Sequence, residues 1–242
     1  MRIFFCMLAA SILFASQASA ATLTEFIKAS ADRGKYTYVM FYRANDTATR
    51  QMSFAIGQQV ARAPERTGWV KVSVNDRSAA EFVKKYDASR LPMPTVIGLA
   101  PNGAVTGIFQ LKVNSRQLDS AILTPKYSEM VKKLQERKIA VVCLQPAGRN
   151  TVPAGITHLE ADANLKTHVV RITASAGDNQ EGRFFERMRV KTDIQEPAVL
   201  VFAPPGVFVG RFNANVSGQQ LASAIHKSGQ CSCRHCQAKN RK

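Results

Sequence analysis

Apolar residues recur along this chain in two rhythms, one helical and one strand-like, and the two alternate. Leu23, Phe26 and Ile27 mark one face of a helix that Gly34 ends. The run YTYVMFY over 36–42 is aromatic and β-branched, the composition of a buried strand. Over 46–62 the helical period returns: Met52, Ala55, Ile56 and Val60 share a face, and Asp46 can cap the start. Gly57 interrupts that pattern without ending it. WVKVSV at 69–74 alternates as a strand, and 79–86 reads as a short helix. Two strands, 95–99 and 105–109, flank Asn102-Gly103, a strong hairpin signal. A helix over 116–123 closes the series.

The same order then repeats. A helix is predicted over 128–138, strands over 139–144 and 168–173, and a helix over 182–190. A hairpin follows, 198–202 and 208–212 around Pro205-Gly206, and a last helix spans 219–226. Residues 94–122 and 197–225 align without a gap, with 13 identities in 29 positions. An offset of 103 residues is too long for a solenoid repeat and matches a small domain. One element differs. Pro153 and Gly155 interrupt RNTVPAGITHLEADANLKTH, so the counterpart of the 46–62 helix should be shorter or displaced.

Composition adds compartment and charge. MRIFFCMLAASILFASQASA has the n-region, short apolar run and small-residue cleavage site of a secretory leader. Its apolar run is shorter than the roughly 20 residues a spanning helix needs. The expected organisation is leader 1–20, domains 21–125 and 126–228, and a basic, cysteine-bearing tail 229–242, in a periplasmic or secreted protein. The net charge is +16. Such an excess favours anionic partners. Outside the cytosol these are acidic proteins or peptides and anionic envelope surfaces, in place of nucleic acid.

The order α-β-α-β-α-β-β-α, with a proline just before the hairpin, resembles the thioredoxin-like superfamily. VMFYRANDTATRQM is similar to the stretch that carries the redox site there, and MPTVIGLAPNGAVTGIF to the cis-proline loop and hairpin. The resemblance implies an α/β fold class: two tandem thioredoxin-like domains, each a central mixed sheet flanked by helices. It implies a cis bond before Pro94 and, in the second copy, before Pro197. It also implies a peptide groove along Met93, Pro94 and Thr95, with Glu196 and Pro197 as counterparts. The departure is chemical. The two positions of the family's Cys-x-x-Cys are Asp46 and Thr49, and the second copy offers Arg149-Asn150-Thr151-Val152. None of these can form a thiolate or hold a mixed disulfide. The chain is thus similar to the non-catalytic domains of protein disulfide isomerases, and a protein-binding or assembly role is expected.

Thiol chemistry is left to other positions. Cys143 lies in the apolar run VVCL, the setting of a small core residue, with pairing to the tail as the alternative. The tail QCSCRHCQAKNRK keeps three readings open. Cys233-Arg234-His235-Cys236 could be a redox dithiol, with Arg234 and His235 favouring a thiolate at Cys233. Cys231, Cys233, His235 and Cys236 could bind a soft metal, Cu(I) or Zn²⁺. The cysteines could instead form a structural disulfide, or one linking a dimer.

Overall fold

A strand buried on both faces needs helices on both sides of its sheet, and two such strands organise this molecule. The computed structural model describes residues 20–229. The first half runs α1 (Ala20–Asp32), β1 (Tyr36–Tyr42), α2 (Thr47–Arg62), β2 (Thr67–Ser73), α3 (Ala80–Lys85), β3 (Thr95–Leu99), β4 (Val105–Gln110) and α4 (Ser115–Ser120). The second runs α5 (Pro125–Gln135), β5 (Ile139–Gln145), α6 (Ala154–Ala161), β6 (Val169–Ser175), α7 (Gly182–Arg187), β7 (Ala198–Ala203), β8 (Val207–Phe212) and α8 (Gly218–Lys227). Residues 1–19 and 230–242, which hold most of the expected leader and all the tail cysteines, lie outside the described residues. Among the described residues no helix is long and apolar enough to cross a membrane.

The strand orders are β2-β1-β3-β4 and β6-β5-β7-β8. In each sheet the central strand pairs parallel with one neighbour and antiparallel with the other. This is the thioredoxin-like arrangement, present twice. Side chains alternate across a strand, so β1 feeds two cores. Val39 and Phe41 pack with Leu23 and Val83 on the α1/α3 face; Tyr38 and Met40 pack with Met52, Ile56 and Leu118 on the α2/α4 face. β5 does the same with Ala140, Val142 and Leu144 on one face and Ile139, Val141 and Cys143 on the other.

The halves meet through the β3–β4 hairpin and α5. Gln135 accepts from the Val105 N–H at 3.0 Å and donates to the Val105 carbonyl at 2.7 Å, as a neighbouring strand would. Tyr36, Ala100, Ala104 and Ile122 are buried beside this clamp, with Val131 of α5 packed against them. The Glu181 carboxylate is buried at the start of α5, where it accepts from the Lys126 N–H at 2.8 Å.

The interrupted segment is shortened as its sequence implies: α6 has 8 residues where α2 has 16. Gly155 also has a role the pattern does not show. A Cβ on it would lie 2.0 Å from the Val216 carbonyl oxygen and 2.9 Å from Ser217 C, so α6 sits directly on the backbone entering α8. Gly57 of α2 has nothing within 4 Å of such a Cβ. Gly155→Ala should therefore lower unfolding free energy by about 1–3 kcal/mol or more through overpacking. Gly57→Ala should raise it by roughly 0.5–1 kcal/mol through helix propensity. Urea denaturation of the two variants checks both signs.

Candidate functional site

Asp46 precedes α2 with extended backbone, and its carboxylate accepts the Thr49 N–H at 2.8 Å. That N–H is one of the donors a helix start leaves unsatisfied. The aspartate is thus a helix cap where the resemblance expects the attacking thiol. The Thr49 N–H, then the Thr49 hydroxyl, with the Arg50 charge adding, hold the exposed Asp46 carboxyl below the ordinary carboxylate range. Thr49 itself is 1% exposed, and its carbonyl accepts from Ser53 Oγ at 2.8 Å. Cations surround the cap. Arg50 donates to the Asn45 carbonyl at 2.8 Å, Lys71 to Asn45 Oδ1 at 2.9 Å, and Arg43 to the Ser89 carbonyl at 2.9 Å.

The loop before β3 lies at the same end of the sheet as this cap, because β1 ends where antiparallel β3 begins. The Met93–Pro94 bond is cis. The Thr95 side chain is buried and its hydroxyl donates to the Pro92 carbonyl. The Pro94 carbonyl accepts the Leu111 N–H at 2.7 Å. Leu111 reaches it from a left-handed backbone, φ 66°, which nothing in a leucine foretells. Among the described residues the Met93 N–H and C=O have no hydrogen-bond partner. Met93 is half-buried against the α1/α3 core.

The second copy departs from expectation. Glu196–Pro197 is trans, and the second cis bond is Pro204–Pro205, inside the β7–β8 turn. There Gly206 N–H closes on the Ala203 carbonyl at 2.8 Å, a four-residue turn with proline third, the position a cis proline takes in such turns. The Pro-Pro dipeptide was the available signal. The loop before Pro197 is held another way, by Arg149 donating to the Gln195 carbonyl at 3.2 Å. Glu196 and Pro197 line a shallow cleft of about 430 Å³ with Ile194 and Arg211.

Cys143 is fully buried, with Gln145 Nε2 at 3.9 Å from its sulfur, and burial pushes its thiol pKa up. Cys231, Cys233, His235 and Cys236 lie outside the described residues. Among the described residues no cluster of three or more His, Cys, Asp or Glu could hold a metal ion.

No family model and no curated protein matches the chain. Among solved structures it is similar to a thioredoxin from Fasciola hepatica: 24% identity, 43% of this chain and 90% of that one, TM-score 0.34. It is similar to thioredoxin O2 from Arabidopsis thaliana in the oxidized state: 20% identity, 42% of this chain and 84% of that one, TM-score 0.34. A disulphide isomerase from Xylella fastidiosa Temecula1 shares 19% identity over 47% of this chain and 86% of its own, TM-score 0.33. Each spans less than half of this chain, and the fold assignment rests on the strand order above.

Two measurements follow from the site chemistry. A carboxyl whose folded pKa is depressed stabilises above its unfolded pKa near 4 and loses that contribution as pH falls through the folded value. Asp46→Asn keeps a capping oxygen without the titration, so its Tm should fall less steeply than the wild type's below about pH 4. In a chain with Cys6, Cys231, Cys233 and Cys236 changed to serine, Cys143 should react with a thiol reagent only on unfolding.

Proposed function

We propose that this protein is a non-catalytic thioredoxin-fold binding module that holds an acidic, extended protein segment in the cell envelope. The observation that carries the reading is the cap: Asp46 caps α2 and Thr49 is buried where disulfide exchange would need two thiols. What remains is a recognition surface. The unpartnered Met93 backbone can pair with an added strand. Arg43, Arg50 and Lys71, held at Ser89 and Asn45, supply positive charge at the same end of the sheet. Phe54, 68% exposed on α2 four residues from Arg50, offers an apolar anchor. The leader sequence supports export, and the +16 charge supports an acidic client.

A second reading puts thiol chemistry on the tail, where Cys233 and Cys236 keep a dithiol spacing that neither domain has. Soft-metal binding by the same tail is its companion; metal content after purification under reducing conditions tests it.

The client used is a carboxymethylated, permanently unfolded acidic protein, measured by surface binding kinetics. Met93→Asp should raise its dissociation rate about tenfold, since most interface changes act on dissociation. Neutralising Lys239, Arg241 and Lys242 should slow association and flatten its salt dependence. Unchanged kinetics in Met93→Asp would remove the groove. In an insulin-reduction assay the wild type should be inactive, and Asp46→Cys/Thr49→Cys should gain activity. Activity in the wild type that disappears on removal of residues 229–242 would establish the tail reading instead.

A further inference from the structure

The face of the first domain formed by α1 and α3 carries a pocket of about 530 Å³, in the range of small-ligand sites. It lies at the end of the sheet opposite the Met93–Pro94 loop, since it is lined by Thr37 near the start of β1 and Leu99 at the end of β3. The second domain shows what fills the same place. α5 answers α1 at an offset of 103 residues; the turn after each helix uses a left-handed residue, Gly34 (φ 70°) and Arg137 (φ 64°). α7 answers α3 at an offset of 102, and Asp87 (φ 48°) and Arg189 (φ 52°) mark the same turn.

On this register Tyr127 corresponds to Thr24, Leu134 to Ala31, Phe184 to Phe82 and Arg187 to Lys85. In the second domain the Tyr127 ring stacks on Phe184, with centroids 5.3 Å apart and planes at 14°. Arg187 lies over that ring at 5.9 Å. Leu134 is buried in the same core. In the first domain Thr24 and Ala31, one helical face apart by seven residues, are too short to take those places. Phe82 stays part-exposed, although Phe184 is fully buried. Part of that place is taken by larger side chains of the first domain: Phe41 stacks on Phe82 at 5.9 Å and Tyr86 lies against it at 4.9 Å, where the second domain has Leu144 and Met188. Thr24 and Ala31 line the pocket that is left.

Its rim is cationic. Lys28 of α1, Lys35, Lys85 of α3 and Lys132 of α5 face it, against the single carboxylate of Glu81. Lys35 donates to the Pro64 carbonyl at 2.6 Å, and Lys132 is 3.9 Å from Glu136. Lys28 and Lys85 have no carboxylate partner among the described residues; Lys85 rests over the Tyr86 ring at 5.3 Å. A flat ring entering between α1 and α3 would meet the part-exposed Phe82 and Tyr86 rings, with Lys85 alongside, much as Tyr127 meets Phe184 and Arg187. A negative substituent on that ring would relieve the gathered ammonium charge.

We propose that this pocket binds a small aromatic anion, an aryl ring carrying a carboxylate or phosphate. The site is separate from the groove of the proposed function, and neither depends on the other. The probe is 2-naphthoate, titrated into the full chain by calorimetry. It should bind one to one, with 2-naphthol (ring without charge) and acetate (charge without ring) each at least about tenfold weaker. Thr24→Tyr should supply the missing ring from within. It should weaken binding at least about tenfold, with a Tm equal to or above the wild type's. Lys28→Ala/Lys85→Ala should weaken binding by a similar factor, and Lys166→Ala/Lys191→Ala, on the second domain, should not. Absence of naphthoate binding, equal binding of naphthol or acetate, or wild-type affinity in a folded Thr24→Tyr chain would each overturn the proposal.

Discussion

Burial of β1 and β5 on both faces is the constraint from which the rest of the molecule follows. Every residue of β1 from Tyr36 to Phe41 is buried, and so is every residue of β5. An isolated sheet cannot satisfy such strands, because each alternate side chain must meet a separate apolar layer. Helices α1 and α3 supply one layer and α2 and α4 the other; the second domain repeats the solution with α5, α7, α6 and α8. The parallel neighbour, the antiparallel neighbour and the helices between them are consequences of placing one fully apolar strand at the centre.

Within that shared frame the two copies have diverged by exchanging volume. The second domain shortens the helix after its central strand and lets Gly155 bring it onto the α8 backbone. The first keeps the long helix and ties it to α4 through Gln59 and Asp119, 2.5 Å apart. On the opposite face the direction is reversed. The second domain fills its core with Tyr127, Leu134 and Phe185, and the first uses Thr24, Ala31 and Val83, offset in part by Phe41 and Tyr86 where the second has Leu144 and Met188. Protein interiors are close-packed, so a side chain shortened without compensation leaves a cavity or a pocket. The repeat makes this legible, because each copy serves as the template for the other.

The cap at α2 shows a helix start put to structural use. A helix start offers free N–H groups and the positive end of its dipole. In a redox protein those features favour a thiolate. Asp46 uses the same features to satisfy the helix itself. With Thr49 buried behind it, this end of the sheet carries the unpartnered Met93 backbone, and Arg50 and Lys71 bind Asn45 beside the cap.

Local physics determined much of this molecule from its sequence. Period, turn residues and the Asp46 cap set the order of the α-helices and strands among the described residues, because these depend on neighbours a few residues apart. The ungapped repeat set the doubling of the fold, and Asp46 with Thr49 set a capped helix start without thiols at those two positions. Tertiary structure alone decided the rest. The cis bond of the second copy sits at Pro204–Pro205 and not before Pro197, Leu111 is turned left-handed to reach Pro94, and Gln135 clamps the edge of β4. The α1/α3 pocket belongs with these. Its lysines come from α1, α3, α5 and the turn before β1, as far apart in sequence as Lys28 and Lys132. No periodicity within one segment reports a contact between segments, and only packing the layers brings those charges and Phe82 to one place.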